Sequence, residues 1–185
     1  MNGAQLYNAF SKIPVLKNKF LGIVTFKEIC ENVIYLDWTK RDFILINFRD
    51  LHWIVMIWIK ADTVIIFDSL SGELSMEKQA MKQILLRCFY GIKRVIFQYG
   101  NGKLQGTGAL TCSEHVIYYV LYQNIFYIKN KHFDLNYTSK ITKYCLEHKT
   151  TPDELVWKEI YVNLKLAKPP DLMKVLNWYE KAFAP

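Results

Sequence analysis

Two apolar runs, "HWIVMIWIK" at 52–60 and "TVIIFDSL" at 63–70, are separated only by Ala61-Asp62, and this pair constrains the fold more than any other stretch of the chain. Short runs rich in β-branched and aromatic residues around a two-residue connection read as a β-hairpin. Neither run alternates apolar with polar positions. Near-continuous apolarity is what strands carry when both faces of their sheet are covered, so the hairpin demands helices on either side of it.

The remaining segments supply those elements. "AQLYNAFSK" near the start has helical spacing, and "NVIYL" and "DFILINF" are further β-rich runs. "GELSMEKQAMKQILLRCFYG" reads as an amphipathic helix over 73–90, ended by Gly91, and "KRVIFQY" as another strand. A glycine-rich loop then leads into a helix starting at Cys112. Thr151-Pro152-Asp153-Glu154 is a helix start, with a capping hydroxyl, proline at the first helical position and acids in the first turn. Pro169-Pro170-Asp171 begins a final helix ending near Ala182. No repeat or low-complexity linker divides the 185 residues, and that length suits one domain, 1–185, able to bury its own core. The expected class is α+β, a small mixed sheet packed between helices.

Composition excludes several classes. With 51% hydrophobic and 15% aromatic residues the chain is not a disordered one. No early stretch joins a basic region, an apolar run and a small-residue cleavage site, so no secretory leader is expected. The longest apolar runs, such as "IVMIWI" at 54–59, fall short of the ~20 residues of a spanning helix, and no membrane association is expected. The cysteines (Cys30, Cys88, Cys112, Cys145) stand singly with no Cys-x-x-Cys pair, which argues against both a zinc site and a disulfide framework. Reduced thiols in an intracellular setting are the expectation. A formal charge of +7 favours nonspecific attraction to phosphates, although no recognition-helix or zinc-finger motif is present to read bases.

Chemistry concentrates in "LQGTGALTCSEHVIYYV", 104–120. A cysteine at a helix N-terminus feels unpaired N–H groups and the positive end of the helix dipole, both of which favour thiolate. Glycines ahead of it permit backbone angles that turn N–H groups inward. A thiolate nucleophile needs a base, and the base needs an orienting group. Among His52, His115, His132 and His148, His52 alone begins a strongly apolar strand. Asp68 ends the partner strand, at the same end of the sheet. A strict two-residue turn would pair Val55 with Asp68, however, and would point His52 and Asp68 to opposite faces. A bulge, a longer turn, or Asp68 lying beyond the ladder is therefore expected, with Asp50 as the fallback acid.

The order His52-Trp53, Asp68, Gln105, Cys112 resembles that of the adenovirus-type (adenain-like) cysteine proteases, whose clan includes the SUMO-deconjugating proteases. The likeness covers most of the first 130 residues and includes "FLGIV" at 20–24 and the seven-residue step from Gln105 to Cys112. It implies a papain-like or adenain-like fold with Cys112 as nucleophile, His52 as general base and later acid, Asp68 orienting His52, and Gln105 donating to the oxyanion beside the Cys112 N–H. Trp53, Gly106 and Gly108 would line the substrate cleft. Two features depart from the family: Ser113 follows the nucleophile where glycine is usual, and "IKRVIFQYG" has no cysteine to tether an activating peptide. A monomer is expected, and the sequence requires no metal or bound cofactor; stimulation by DNA, which fits the charge of +7, or by a non-covalent peptide stays open. By the resemblance its substrates would be viral precursor proteins, cut after small residues such as glycine during particle maturation, in the host cell, its nucleus or the virion. Two other functions fit parts of the pattern: a deconjugating protease acting on a ubiquitin-like modifier, and an inert, basic, DNA-associated structural protein.

Overall fold

The computed structural model describes residues 1–31, 38–48, 52–70, 75–100, 103–106 and 110–166. Within them the chain is α+β. Five strands, β1 (Phe20–Thr25), β2 (Phe43–Phe48), β3 (His52–Lys60), β4 (Thr63–Asp68) and β5 (Arg94–Tyr99), form one sheet in the order β1-β2-β3-β4-β5. The outer pairs, β1–β2 and β4–β5, are parallel and the inner pairs antiparallel, so the sheet is mixed, as expected.

The two apolar faces of the central hairpin are both used. Trp53, Val55, Ile57, Ile65 and Phe67 face a core shared with helices α1 (Gly3–Lys12), α2 (Pro14–Lys17) and α5 (Cys112–Asn130). The alternate residues Ile54, Met56, Trp58, Val64 and Ile66 face a second core with α3 (Phe26–Glu31) and α4 (Ser75–Cys88). Positions 53–58 and 64–67 of these strands thus meet apolar neighbours on one face or the other, which is why the sequence shows no alternation there. Helix α6 (Tyr137–Glu147) and α7 (Pro152–Trp157), continued by a π-helical stretch over Lys158–Asn163, complete the α5 side.

Most elements fall where the sequence puts them. Helix α4 runs to Cys88 and Gly91 follows at φ 89°, a backbone setting that favours glycine. Strand β1 and the short helices α2 and α3 were not expected. In β1 a bulge between Phe20 and Gly22, with Gly22 at φ 137°, blurs the strand signal. "NVIYL", Asp50, Gly108 and the helix expected from Pro169 lie outside the described residues.

The hairpin resolves the pairing conflict through a bulge. Lys60 pairs with Thr63, as a two-residue turn requires, but Trp58 then pairs with Val64, so Ile59 is an extra residue on β3. Beyond it Val55 lies opposite Phe67. Continuing that register sets Asp68 across from Ile54, and His52, two residues further along β3, shares its face.

Candidate active site

The site lies at one end of the sheet, where β3 begins, β4 and β5 end and α5 starts. Helix α5 is held there by packing. Its first six residues, Cys112 to Ile117, are all buried, and Tyr119 stacks on Phe67 of β4 with centroids 3.9 Å apart and rings 4° from parallel. The Tyr119 hydroxyl donates to Gln98 Oε1 on β5. Burying an aromatic pair of this kind contributes several kcal/mol, of which stacking accounts for about 0.5–1.5. The N-terminus of α5 is thereby fixed against the strands that carry the other site residues.

His52 Nε2 lies 2.7 Å from Asp68 Oδ1. The same oxygen accepts from the Leu70 N–H at 2.9 Å, fixing the carboxylate from its own turn. Burial disfavours the imidazolium, but hydrogen bonds with Asp68 and with Cys112, and their negative charge, outweigh it and raise the His52 pKa from 6.5 to about 9. Cys112 itself is 8% exposed, the first residue of α5. Tyr99, paired with Asp68 across β4 and β5, has its phenol pushed up by burial and by the Asp68 charge. Asp68 and Cys112 thus both act on the His52 ring and favour its charged form.

Gln105 is buried and accepts from the Ser69 hydroxyl at 2.6 Å through Oε1. Holding the carbonyl end of the amide defines where its NH2 end points. Consecutive residues at the end of β4 thus serve two different groups, Asp68 the histidine and Ser69 the glutamine. Their backbone is pressed against β5: the Gly100 N–H donates to the Asp68 carbonyl at 2.8 Å, and a Cβ at Gly100 would come within 1.9 Å of the Ser69 carbonyl oxygen. Ser69 was not singled out in the sequence, where Asp-Ser-Leu after a strand reads as a turn.

The other expected residues take varied places. Trp53, 9% exposed, belongs to the core on the α1 and α5 side, with its ring 3.7 Å from where a Cβ on Gly3 would stand. Gly106 is exposed and donates its N–H to Asp153 Oδ2 at 2.8 Å. Ser113, the departure from the family pattern, is buried; its hydroxyl accepts from the Met1 amine and donates to Glu114 Oε2, each at 2.6 Å. His132 and His148 lie on the surface against the backbone carbonyls of Asn130 and Tyr144. His115 is buried and pairs with Asp153 at 3.0 Å.

Among the described residues no group of three His, Cys, Asp or Glu side chains is arranged to hold a metal ion, and no helix is long and apolar enough to cross a membrane. Compared with known proteins, the chain matches no family model and no curated protein sequence.

Proposed function

We propose that this chain is a cysteine endopeptidase of the adenovirus type, with an adenain-like fold, acting on precursor proteins after small residues. The observation that carries the reading is the 2.7 Å contact of His52 with Asp68, on a ring whose charged form Cys112 also favours. Nothing in sheet packing alone calls for a cysteine, an imidazole and a carboxylate together at the end of a sheet.

In this mechanism the Cys112 sulfur, paired as thiolate with the His52 imidazolium, attacks the scissile carbonyl carbon. The sulfur–carbon bond forms as the carbonyl π bond becomes an oxyanion. That oxyanion is met by the Gln105 amide NH2 and the Cys112 backbone N–H, donors whose positions are set before substrate arrives. Collapse breaks the carbon–nitrogen bond, and His52 gives its proton to the leaving amine. Water then enters: His52 takes one of its protons, the hydroxide portion displaces sulfur from the acyl carbon, and the thiolate–imidazolium pair returns. Asp68 keeps the ring oriented and favours its charged form throughout. Strand-end placement of His52 and Asp68, with Cys112 at a helix start, gathers the three side chains at one end of the sheet. DNA contact through the basic surface, and substrates drawn from a viral particle, belong to the same proposal and rest on the resemblance and on the charge of +7.

Alkylation of the protein by iodoacetamide over a pH series, read cysteine by cysteine by mass spectrometry, tests the proposal. Exposed Cys30 is the reference for an ordinary thiol, and Cys145, whose pKa is raised by burial, is the buried reference. Cys112 should react faster than both at acidic pH, where thiols that ionise near about 8.5 are protonated. Its rate should drop in His52→Ala, and a glycine-containing peptide amide should be cleaved by the wild type but not by Cys112→Ser. If Cys112 reacts like Cys145 at every pH and no peptide is cut, the protease reading falls.

A further inference from the structure

We infer that Asp153 is a positioning residue for the oxyanion site: its carboxylate fastens both ends of the loop between Gln105 and Cys112, so that the Gln105 amide and the Cys112 N–H address one point. The inference rests on the protease reading above and assigns a part in it to the C-terminal third of the chain.

In the sequence Asp153 passes for an ordinary first-turn acid in α7. The structure gives that local task to its neighbours. Thr151 Oγ1 accepts from the Glu154 N–H at 3.2 Å and Glu154 Oε2 accepts from the Thr151 N–H at 2.9 Å, a complete capping box. Asp153 turns inward instead, 7% exposed. Its Oδ2 accepts from the Gly106 N–H at 2.8 Å, next to Gln105. Its Oδ1 accepts from the Thr111 hydroxyl, next to Cys112, and lies 3.0 Å from His115 Nε2, one turn into α5. The His115 ring meets the carboxylate through its Nε2–H.

Three donors on one buried carboxylate have a geometric consequence. Gly106 and Thr111 flank the loop, and gripping them with the two oxygens of a single group sets the separation of the residues just outside it, Gln105 and Cys112. Ser69 holds the Gln105 side-chain amide while Asp153 holds the backbone that follows it, so that residue is located from both β4 and α7. The Thr111 hydroxyl, given to Asp153, makes no side-chain cap on α5; the first-turn N–H groups of that helix, including Cys112, are not covered by it. The negative charge of Asp153 is itself taken up by its three donors rather than turned toward a forming oxyanion. A carboxylate suits this post because it accepts on every side. An asparagine would turn an NH2 donor toward at least one of the same donors.

Two probes separate positioning from general support. Iodoacetamide reads the Cys112–His52 pair alone, whereas a peptide ending in glycinal also reads the oxyanion donors. In that adduct the sulfur–carbon bond forms as the aldehyde π bond breaks, and the thiol proton ends on the former carbonyl oxygen. In Asp153→Asn we expect Cys112 to keep its fast alkylation while the affinity for the glycinal peptide falls by about 10²-fold, the order of effect of a lost oxyanion donor. In a Gln105→Ala background the same substitution should cost little further, because both changes act through one amide. Thr111→Val, which removes one donor and keeps the carboxylate, should show the same selective loss in smaller measure, and it serves as the probe if Asp153→Asn proves unstable. Equal loss with both probes, full additivity with Gln105→Ala, or no loss of glycinal affinity would each overturn the inference while leaving the protease intact. A wild-type protein that forms no glycinal adduct and alkylates slowly at Cys112 would remove the protease reading, and this inference with it.

Discussion

At His52 two opposed forces meet, and their balance gives the site its pH dependence. Burial favours the neutral ring; Asp68 and the Cys112 sulfur favour the charged one, and together they carry the pKa from 6.5 to about 9. A group whose pKa rises on folding contributes stability in full below its unfolded value. That contribution declines as pH passes from about 6.5 to about 9 and is gone above it. In the proposed mechanism the imidazolium that pairs with the nucleophile is lost over the same upper limb, so kcat/KM should fall on the alkaline side near pH 9. Asp68→Asn removes the negative charge on the ring, and two effects should follow. The alkaline limb should move to lower pH, and kcat/KM at neutral pH should drop by about 10²–10⁴-fold, the scale of losing an oriented base. Urea unfolding should also show a stability gap between wild type and Asp68→Asn that is wider near pH 6 than near pH 10, both flanking the raised value. A limb that stays in place in Asp68→Asn would mean that Asp68 does not set the ionisation of His52.

At the scale of elements, the β3–β4 hairpin depends on one residue out of step. Because both faces of these strands are apolar, hydrophobic patterning alone does not choose between registers that differ by one residue. The bulge at Ile59 makes the choice, letting a two-residue turn coexist with Val55 opposite Phe67. Deleting Ile59 should consequently be tolerated, since Trp58 can still pair with Val64 and Lys60 with Thr63, and His52 stays on the face of Asp68. The check is thiol alkylation of the deletion variant: fast reaction at Cys112 with an unchanged pH profile is expected, and loss of it in a folded protein would show that the bulge itself, rather than the register beyond it, holds the site. This hairpin also marks how far sequence carries. The strands, the helix start at Cys112 and the arrival of His52 and Asp68 at one sheet end are written in local patterns. The conflict of faces was visible in the numbering, though its solution at Ile59 was not, because an isoleucine in an apolar strand carries no sign of being unpaired. Strand β1 was missed for a related reason. Its bulge at Gly22 interrupts the run, and α3 follows without a turn, started by Thr25 and Glu28 bonding each other's backbone. Ser69 and Asp153 are small polar residues in segments that read as a turn and a cap; their partners, Gln105 and the Gly106–Thr111 loop, lie 36 to 47 residues away, beyond any local pattern.

Over the whole molecule, charge is the property that no catalytic residue explains. The formal excess is +7, and part of it gathers away from the thiol. Lys40 Nζ stands 4.8 Å and Arg41 Cζ 5.5 Å from the centre of the Tyr127 ring. The Tyr127 phenol is held below its usual pKa by a hydrogen bond from Lys40 and by the charges of Lys40, Arg41 and Lys131. Lys40 and Arg41 over a partly buried tyrosine ring, with the Lys131 charge acting on the same phenol, make this a place where a phosphate backbone would be attracted. If the proposed protease works on nucleic acid, DNA should raise its kcat/KM at low salt, and the gain should fade as salt rises. Counterion release sets the form of that decline, a straight line of log binding constant against log salt with a slope of about −0.9 for each phosphate neutralised on duplex DNA. Replacing Lys40, Arg41 and Lys131 by alanine one at a time should make that slope shallower by about 1 each. Iodoacetamide alkylation of Cys112 in the absence of DNA should be unchanged in these variants, because none of the three touches the site. Equal slopes in all the variants would move the contact to another part of the basic surface. A binding constant that does not respond to salt would leave the net charge a matter of solubility alone.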